Sequence, residues 1–287
     1  MSLLCEIGYI KDLLRRHGFG FSKALGQNFL CAPHVPVKIA ENANIDDNTC
    51  VIEVGPGIGT LSFELCQRAK QVVAIELDKR LPDILKETMV LHKNFSVVQG
   101  DVLKVDIPQI VEENFHGAKT VACANLPYYI TTPAIAVLIE AKCFESITVM
   151  VQKEVAKRIC ARENTADYGA FTVFVQYYTK PEIILDVPAG CFIPAPKVDS
   201  AVVRLDVRKE PKVKVKDEKL FFKVVKAAFA QRRKTLVNCI NTAFPNVSKE
   251  MCGKMLTDIG VSEKIRGEAL SIEQLAALSD KIGEING

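Results

Sequence analysis

Residues 50–60 read Cys50-Val51-Ile52-Glu53-Val54-Gly55-Pro56-Gly57-Ile58-Gly59-Thr60, an apolar run that passes into a glycine-rich segment. The first five residues, rich in β-branched side chains, predict a buried strand at 50–54. The glycines that follow predict a tight turn, and the helical pattern at 60–69 presents its first free N–H groups to whatever sits there. Strand, glycine turn and helix in this order open a nucleotide-binding α/β sheet. By itself the turn does not separate a nicotinamide dinucleotide from an adenosyl ligand.

Working outward, strand-like runs at 71–76, 95–99, 119–124 and 146–152 alternate with helix-like segments at 79–91, near 107–114 and at 132–141. Repeated strand–helix–strand units predict a mostly parallel, Rossmann-like α/β sheet. The stretch 168–178 suits either a strand or a buried helix on its pattern alone. Residues 182–187 and 201–207 flank a proline-rich loop at 188–196 and predict a closing antiparallel hairpin. Beyond a basic linker, 220–244, 248–259 and 271–282 predict helices, hence a small all-α C-terminal domain. The domain boundary expected from this pattern divides 1–207 from 208–287, after a leader at 1–48.

The strand ends carry the chemistry, because in an open α/β sheet they line one crevice. Glu76 closes the second strand, where a carboxylate can accept both hydrogen bonds of a ribose diol. Gly100-Asp101 follows the third, and its carboxylate can accept an adenine amine, a role that a dehydrogenase does not require. Asn125-Leu126-Pro127-Tyr128 follows the fourth. Pro127 stiffens that turn and removes a donor, leaving the Asn125 side-chain oxygen and the Leu126 carbonyl as acceptors with an aromatic ring beside them.

Composition narrows the class further. With 48% hydrophobic and 25% charged residues the chain reads as globular, and no apolar run approaches the roughly 20 residues of a membrane span. Glu6, Lys11 and Asp12 followed by Arg15 and Arg16 reverse the order of a secretory signal, so a cytoplasmic location is expected. The ten cysteines are scattered with no CxxC pair, which argues against structural zinc and for a reducing compartment. No metal is expected. The net charge of +3 is uneven: residues 1–207 carry 21 basic and 24 acidic side chains, and 208–287 carry 16 and 10. Eleven basic and three acidic residues fall between 208 and 234. That density suits a polyanion such as nucleic acid, and charge alone leaves a solvated linker and helix face equally open.

On these motifs the sequence resembles S-adenosylmethionine-dependent class I methyltransferases, and within them the KsgA/RsmA-type ribosomal RNA adenine N6-dimethyltransferases. The resemblance runs along nearly the whole chain and includes Gly26-Gln27-Asn28-Phe29-Leu30, the stretch from Gln152 through Lys153, Lys157 and Arg158, the run Phe192 to Ser200, and Phe229 to Thr235 with Arg232, Arg233 and Lys234. It implies a helix at 168–178. It assigns Asn28, Leu30, Gly55, Gly57, Glu76, Asp101 and Asn125 to S-adenosylmethionine, and Asn125, Leu126, Pro127, Tyr128 and Phe192 to methyl transfer, with Tyr128 and Phe192 clamping a base drawn from its stack. It implies RNA contacts from Lys153, Arg158, Arg232, Arg233 and Lys234. The partner would be small-subunit rRNA in an immature ribosomal subunit, dimethylated at two adjacent adenosines of a 3′-terminal hairpin loop by a monomeric enzyme. Two other readings stand beside it: an Erm-type methyltransferase of large-subunit rRNA, which shares the glycine turn and the Asn-Leu/Ile-Pro-Tyr run, and a non-catalytic RNA- or DNA-binding factor on the same fold.

Overall fold

The computed structural model describes residues 3–20 and 26–286. In chain order the elements are α1 (Ile7–Arg16), β1 (Phe29–Leu30), α2 (His34–Glu41), β2 (Cys50–Val54), α3 (Thr60–Cys66), β3 (Gln71–Glu76), α4 (Leu81–Thr88) and β4 (Phe95–Gln99). Then come α5 (Ile107–Phe115), β5 (Thr120–Asn125), α6 (Thr131–Glu140), β6 (Ser146–Gln152), α7 (Lys153–Ile159), α8 (Ala170–Tyr178), β7 (Thr179–Val187), β8 (Phe192–Ile193) and β9 (Ser200–Val207). The chain ends in α9 (Glu218–Phe229), α10 (Leu236–Ala243), α11 (Lys249–Asp258) and α12 (Ile272–Asn286). They form two compact units, residues 1–156 with 181–207, and residues 157–180 with 208–287.

The first unit is built on a seven-stranded sheet in the order β4-β3-β2-β5-β6-β9-β7. The pairs β4–β3, β3–β2, β2–β5 and β5–β6 are parallel, and β9 runs antiparallel to β6. Residues of β2, β3, β5 and β6 are buried almost without alternation, as expected of strands covered on both faces. Edge strand β4 is only partly covered. Strand order reverses between β2 and β5, which makes the crevice beyond their carboxyl ends the ligand position of the fold. A separate two-stranded sheet pairs β1 with β8 antiparallel, Phe29 opposite Ile193 and Leu30 opposite Phe192. Ile39, Val51, Leu65, Val72, Ile84 and Val121 belong to the main core of this unit.

The second unit packs Tyr168, Val173, Tyr177, Phe221, Leu236 and Leu275 into its own core. Its composition revises two sequence expectations and agrees with a third. Residues 157–180, kept with the sheet on sequence pattern, group with the helical unit because α8 buries Val173 and Tyr177 there. The ambiguous stretch 168–178 is helical from Ala170. The single helix expected over 220–244 is two helices, α9 and α10, parted by a turn at 230–235 in which the Lys234 amide bonds back to Gln231 and the Leu236 amide bonds to the Ile265 carbonyl. Arg232 there turns onto the carbonyls of Ala166 and Tyr168.

Candidate active site

The carboxyl ends of β2, β3, β4 and β5 deliver their residues to one cavity of about 260 Å³. After β2 the chain turns through Gly55 at φ +69°, a conformation that L side chains rarely adopt, and the space a Cβ would occupy is open. The Gly55 amide bonds to the Ile75 carbonyl, so the turn is pinned to the end of β3. Glu53, on β2, is fully buried, and neither carboxylate oxygen has a hydrogen-bond partner among the described residues. Burial pushes its carboxyl up to about 8.

At the end of β3, Glu76 is 6% exposed and burial pushes its carboxyl up to about 7. One oxygen accepts the Asp78 amide at 2.6 Å. The Gln99 side chain, from the end of β4, donates to the Glu76 and Leu77 carbonyls at 2.6 and 2.9 Å and fixes the backbone that carries the carboxylate. Asp101 shares the cavity while also stabilising its own turn, accepting the Leu103 amide at 3.0 Å with Lys104 at 3.6 Å. The residue that pins this turn and the candidate ligand are therefore one and the same.

The turn after β5 follows the pattern its sequence predicts. Pro127 is extended at φ −56° and ψ 134°, and the Leu126 amide is spent on the Met150 carbonyl of β6. Asn125 Nδ2 donates to the Asn28 carbonyl at 3.4 Å, which leaves the Oδ1 atom as the acceptor of that side chain. Asn28 in turn donates to the Gly26 carbonyl at 3.0 Å. Tyr128 is partly buried, with its hydroxyl 2.8 Å from Ser200 Oγ, and Phe192, on β8, is 4% exposed.

Asn28, Leu30, Gly55, Gly57, Glu76, Asp101, Asn125, Leu126, Pro127, Tyr128 and Phe192 all line this one cavity. The cation residues do not. Lys153 pairs with Asp186 at 2.8 Å, and Arg158 is exposed on α7. Arg232 is bound to the Ala166 and Tyr168 carbonyls and lies 3.6 Å from Glu268, whereas Arg233 and Lys234 are exposed. Sequence reasoning missed Tyr129, which is 54% exposed in the lining and lies beside Gly26. The available signal was the doubled aromatic in Pro127-Tyr128-Tyr129. It also missed Val102 and Leu103, which line the same cavity directly after Asp101.

These residues fit an adenosyl methyl donor. The unpartnered Glu53 carboxylate suits a ligand with an ammonium group, the open space at Gly55 admits close approach to the backbone, and Glu76 and Asp101 provide acceptors for ribose and adenine. Among the described residues no group of three or more His, Cys, Asp or Glu side chains could hold a metal ion, and no helix is long and apolar enough to cross a membrane.

Comparison with known proteins gives a consistent assignment. The profile of the ribosomal RNA adenine dimethylase family matches residues 18–283. The ribosomal RNA small subunit methyltransferase A of Lachnoclostridium phytofermentans is 48% identical over 277 residues, 95% of each chain. That of Bacillus licheniformis is 46% identical over 279 residues, 96% of each. Among solved structures, a dimethyladenosine transferase from Plasmodium falciparum superposes with a TM-score of 0.77 at 26% identity, covering 90% of this chain and 98% of that one. The 23S rRNA methyltransferase ErmE follows with a TM-score of 0.69 at 28% identity, covering 89% and 100%. With a family profile spanning almost the whole sequence and relatives of nearly half identity over nearly their full length, the chain belongs to the ribosomal RNA adenine dimethylase family.

Proposed function

We propose that this enzyme transfers methyl groups from S-adenosylmethionine to the N6 amines of two adjacent adenosines in the 3′-terminal hairpin loop of small-subunit rRNA, within an immature subunit in the cytoplasm. The observation that carries the reading is the Asn125–Tyr128 turn, which opens into the same cavity as Glu76 and Asp101. The small-subunit substrate rests on relatives named for that subunit, at 45–48% identity.

S-adenosylmethionine, when bound, supplies an electrophilic methyl group. Glu53, Gly55, Gly57, Asn28 and Leu30 would hold its methionyl end, Glu76 its ribose and Asp101 its adenine amine. An exocyclic adenine nitrogen is a poor nucleophile because its lone pair is delocalised into the ring. Asn125 Oδ1 and the Leu126 carbonyl accept from the amine's N–H bonds, two before the first transfer and one before the second, and draw the nitrogen toward tetrahedral geometry. In each transfer the new N–C bond replaces the donor's S–C bond and one N–H proton is released to water. The contribution is one of orientation rather than proton abstraction. Tyr128, anchored through Ser200, and Phe192, held in β8, supply the apolar faces between which the displaced base stacks. Arg233 and Lys234, with Lys153 and Arg158, contact RNA phosphates.

Mass mapping of methylated adenosines after incubation with S-adenosylmethionine and unmethylated subunits tests the reading. Dimethylation of two neighbouring adenosines in small subunits, with large subunits untouched, is expected. Modification of large-subunit RNA would replace it with an Erm-type activity, and binding without methyl transfer would leave a non-catalytic factor.

A further inference from the structure

The turn between β3 and α4 holds an ion pair that the mechanism above does not use. Arg80 forks onto Asp78, Nε to Oδ1 at 2.9 Å and Nη2 to Oδ2 at 2.6 Å, and the Arg80 amide bonds to Oδ1 at 3.1 Å. Asp78 is 7% exposed while the Arg80 side chain is about half exposed, so the carboxylate is desolvated and the two-point fork, rather than burial of both ions, sets this pair apart from a simple surface contact. The guanidinium holds the Asp78 carboxyl down to about 2.

Three further contacts run outward from the pair. The Asp78 amide donates to Glu76 at 2.6 Å. Gln27 Nε2 donates to Asp78 Oδ2 at 2.8 Å, one residue before Asn28. Arg80 Nη1 donates to the Gly20 carbonyl at 3.2 Å, with the guanidinium carbon 4.4 Å from the centre of the Phe19 ring. Phe19 in turn lies 6.1 Å from Phe29. Gly20 is thus bonded to Arg80 and Gln27 to Asp78, one to each member of the pair.

We infer that Asp78 and Arg80 are a positioning pair for the methyl-donor site, a charge-neutral hub that fixes Glu76 from one side and ties the chain leading into Asn28 and Leu30 from the other. Neutrality is required for that role. A second buried carboxylate two residues from Glu76 would oppose ionisation of Glu76 unless a cation balanced it. A point charge supplies the balance, and only the planar fork reaches the carboxylate and the Gly20 carbonyl together. The inference rests on the reading that Glu76 and Asn28 face the donor.

The test compares Arg80→Gln, Arg80→Lys and Glu76→Ala with the wild type. Calorimetric titration with S-adenosylmethionine and hydrogen exchange of the peptide spanning residues 26–30 in donor-free protein are the readouts, beside steady-state kinetics. Arg80→Gln is expected to weaken donor binding about tenfold. It should raise the donor KM to match, change kcat at saturating donor by less than about twofold, and speed exchange at 26–30 while leaving α12 unchanged. Arg80→Lys should recover part of the affinity but not the slow exchange. Wild-type affinity and exchange in Arg80→Gln would overturn the inference, as would a fall in kcat at unchanged KM. Should Arg80→Gln fail to fold, Arg80→Lys decides alone, since wild-type exchange in that variant contradicts the tether. Wild-type affinity in Glu76→Ala would instead remove the ribose assignment, and the exchange result would still judge the tether.

Discussion

Glu76 offers the most direct residue-scale test, because burial places its titration near neutrality. On the proposed assignment ribose hydroxyls donate to the ionised Glu76 carboxylate, so donor binding favours loss of its proton. The Glu76 part of the affinity should therefore rise as pH passes upward through about 7, with proton release on binding below that point, and ionisation of Glu53, pushed up to about 8, should extend the rise above it. Calorimetry at pH 6 and 8 in buffers of different ionisation enthalpy checks the sign. Glu76→Gln should flatten the profile, and Glu76→Ala should lose about 2–3 kcal/mol, the scale of a charge-assisted hydrogen-bond pair. Asn125 separates chemistry from binding. Its amide is oriented by the Asn28 carbonyl, and on the proposed mechanism its contact to the target amine strengthens in the transition state, so Asn125→Ala should cut the single-turnover rate by about a hundredfold or more while RNA affinity changes little. Equal losses in rate and affinity would make Asn125 a packing residue. Residues of this kind were legible because each sits at a strand end in a motif of its own. Tyr129 and the Asp78–Arg80 pair were not, because their roles depend on Gly26, Gly20 and Gln27, fifty or more residues away.

At the scale of elements, legibility followed local patterning. Parallel strands β2, β3, β5 and β6 were readable as apolar runs because both of their faces are covered, and edge strand β4, only partly covered, was readable from Phe95, Val97 and Val98. The β1–β8 sheet was not, since two residues per strand carry no period, and its partners lie more than 160 positions apart. The break between α9 and α10 was hidden for a different reason. The interruption, Ala230 to Lys234, consists of residues that enter helices readily, and what ends α9 is tertiary: Arg232 bonded to distant carbonyls and the Leu236 amide captured by Ile265. Close packing of α9 makes a further prediction. Gly267, in the short turn before α12, lies so near Ala228 that an added Cβ would strike its carbonyl oxygen and sit 2.7 Å from its carbonyl carbon. Backbone cannot yield there as a flexible side chain could. Gly267→Ala should destabilise the helical unit by about 2–3 kcal/mol, read as a lower denaturation midpoint with faster amide exchange in α9. Unchanged stability would mean that the turn has room to shift.

For the molecule as a whole, the charge asymmetry seen in the sequence becomes sharper when the structure shows which cations are already committed. Lys212, Lys214 and Lys216 pair with Glu273, Glu210 and Glu284, and Arg208 donates to the Thr179 carbonyl. Lys223 lies 4.7 Å from the centre of the Phe244 ring. Three cations of the linker are therefore offset by carboxylates of the helical unit, so the density of charge in the sequence overstates the net charge offered to RNA. Arg233 and Lys234 are different. They are exposed, and among the described residues no ion pair or side-chain hydrogen bond occupies either. If they contact single-stranded phosphates, subunit affinity should fall steeply with salt, and changing both to Ala should reduce the log–log slope by about 1.4, the worth of two contacts. Arg232→Ala alone should leave the slope nearly unchanged and lower the stability of the helical unit, because its guanidinium serves the Ala166 and Tyr168 carbonyls. Donor affinity should survive all three changes, since every residue lining the cavity belongs to the sheet unit. A double variant that keeps the wild-type slope would show these cations to be solvated surface, and would move the phosphate contacts to Lys153, Lys157 and Arg158.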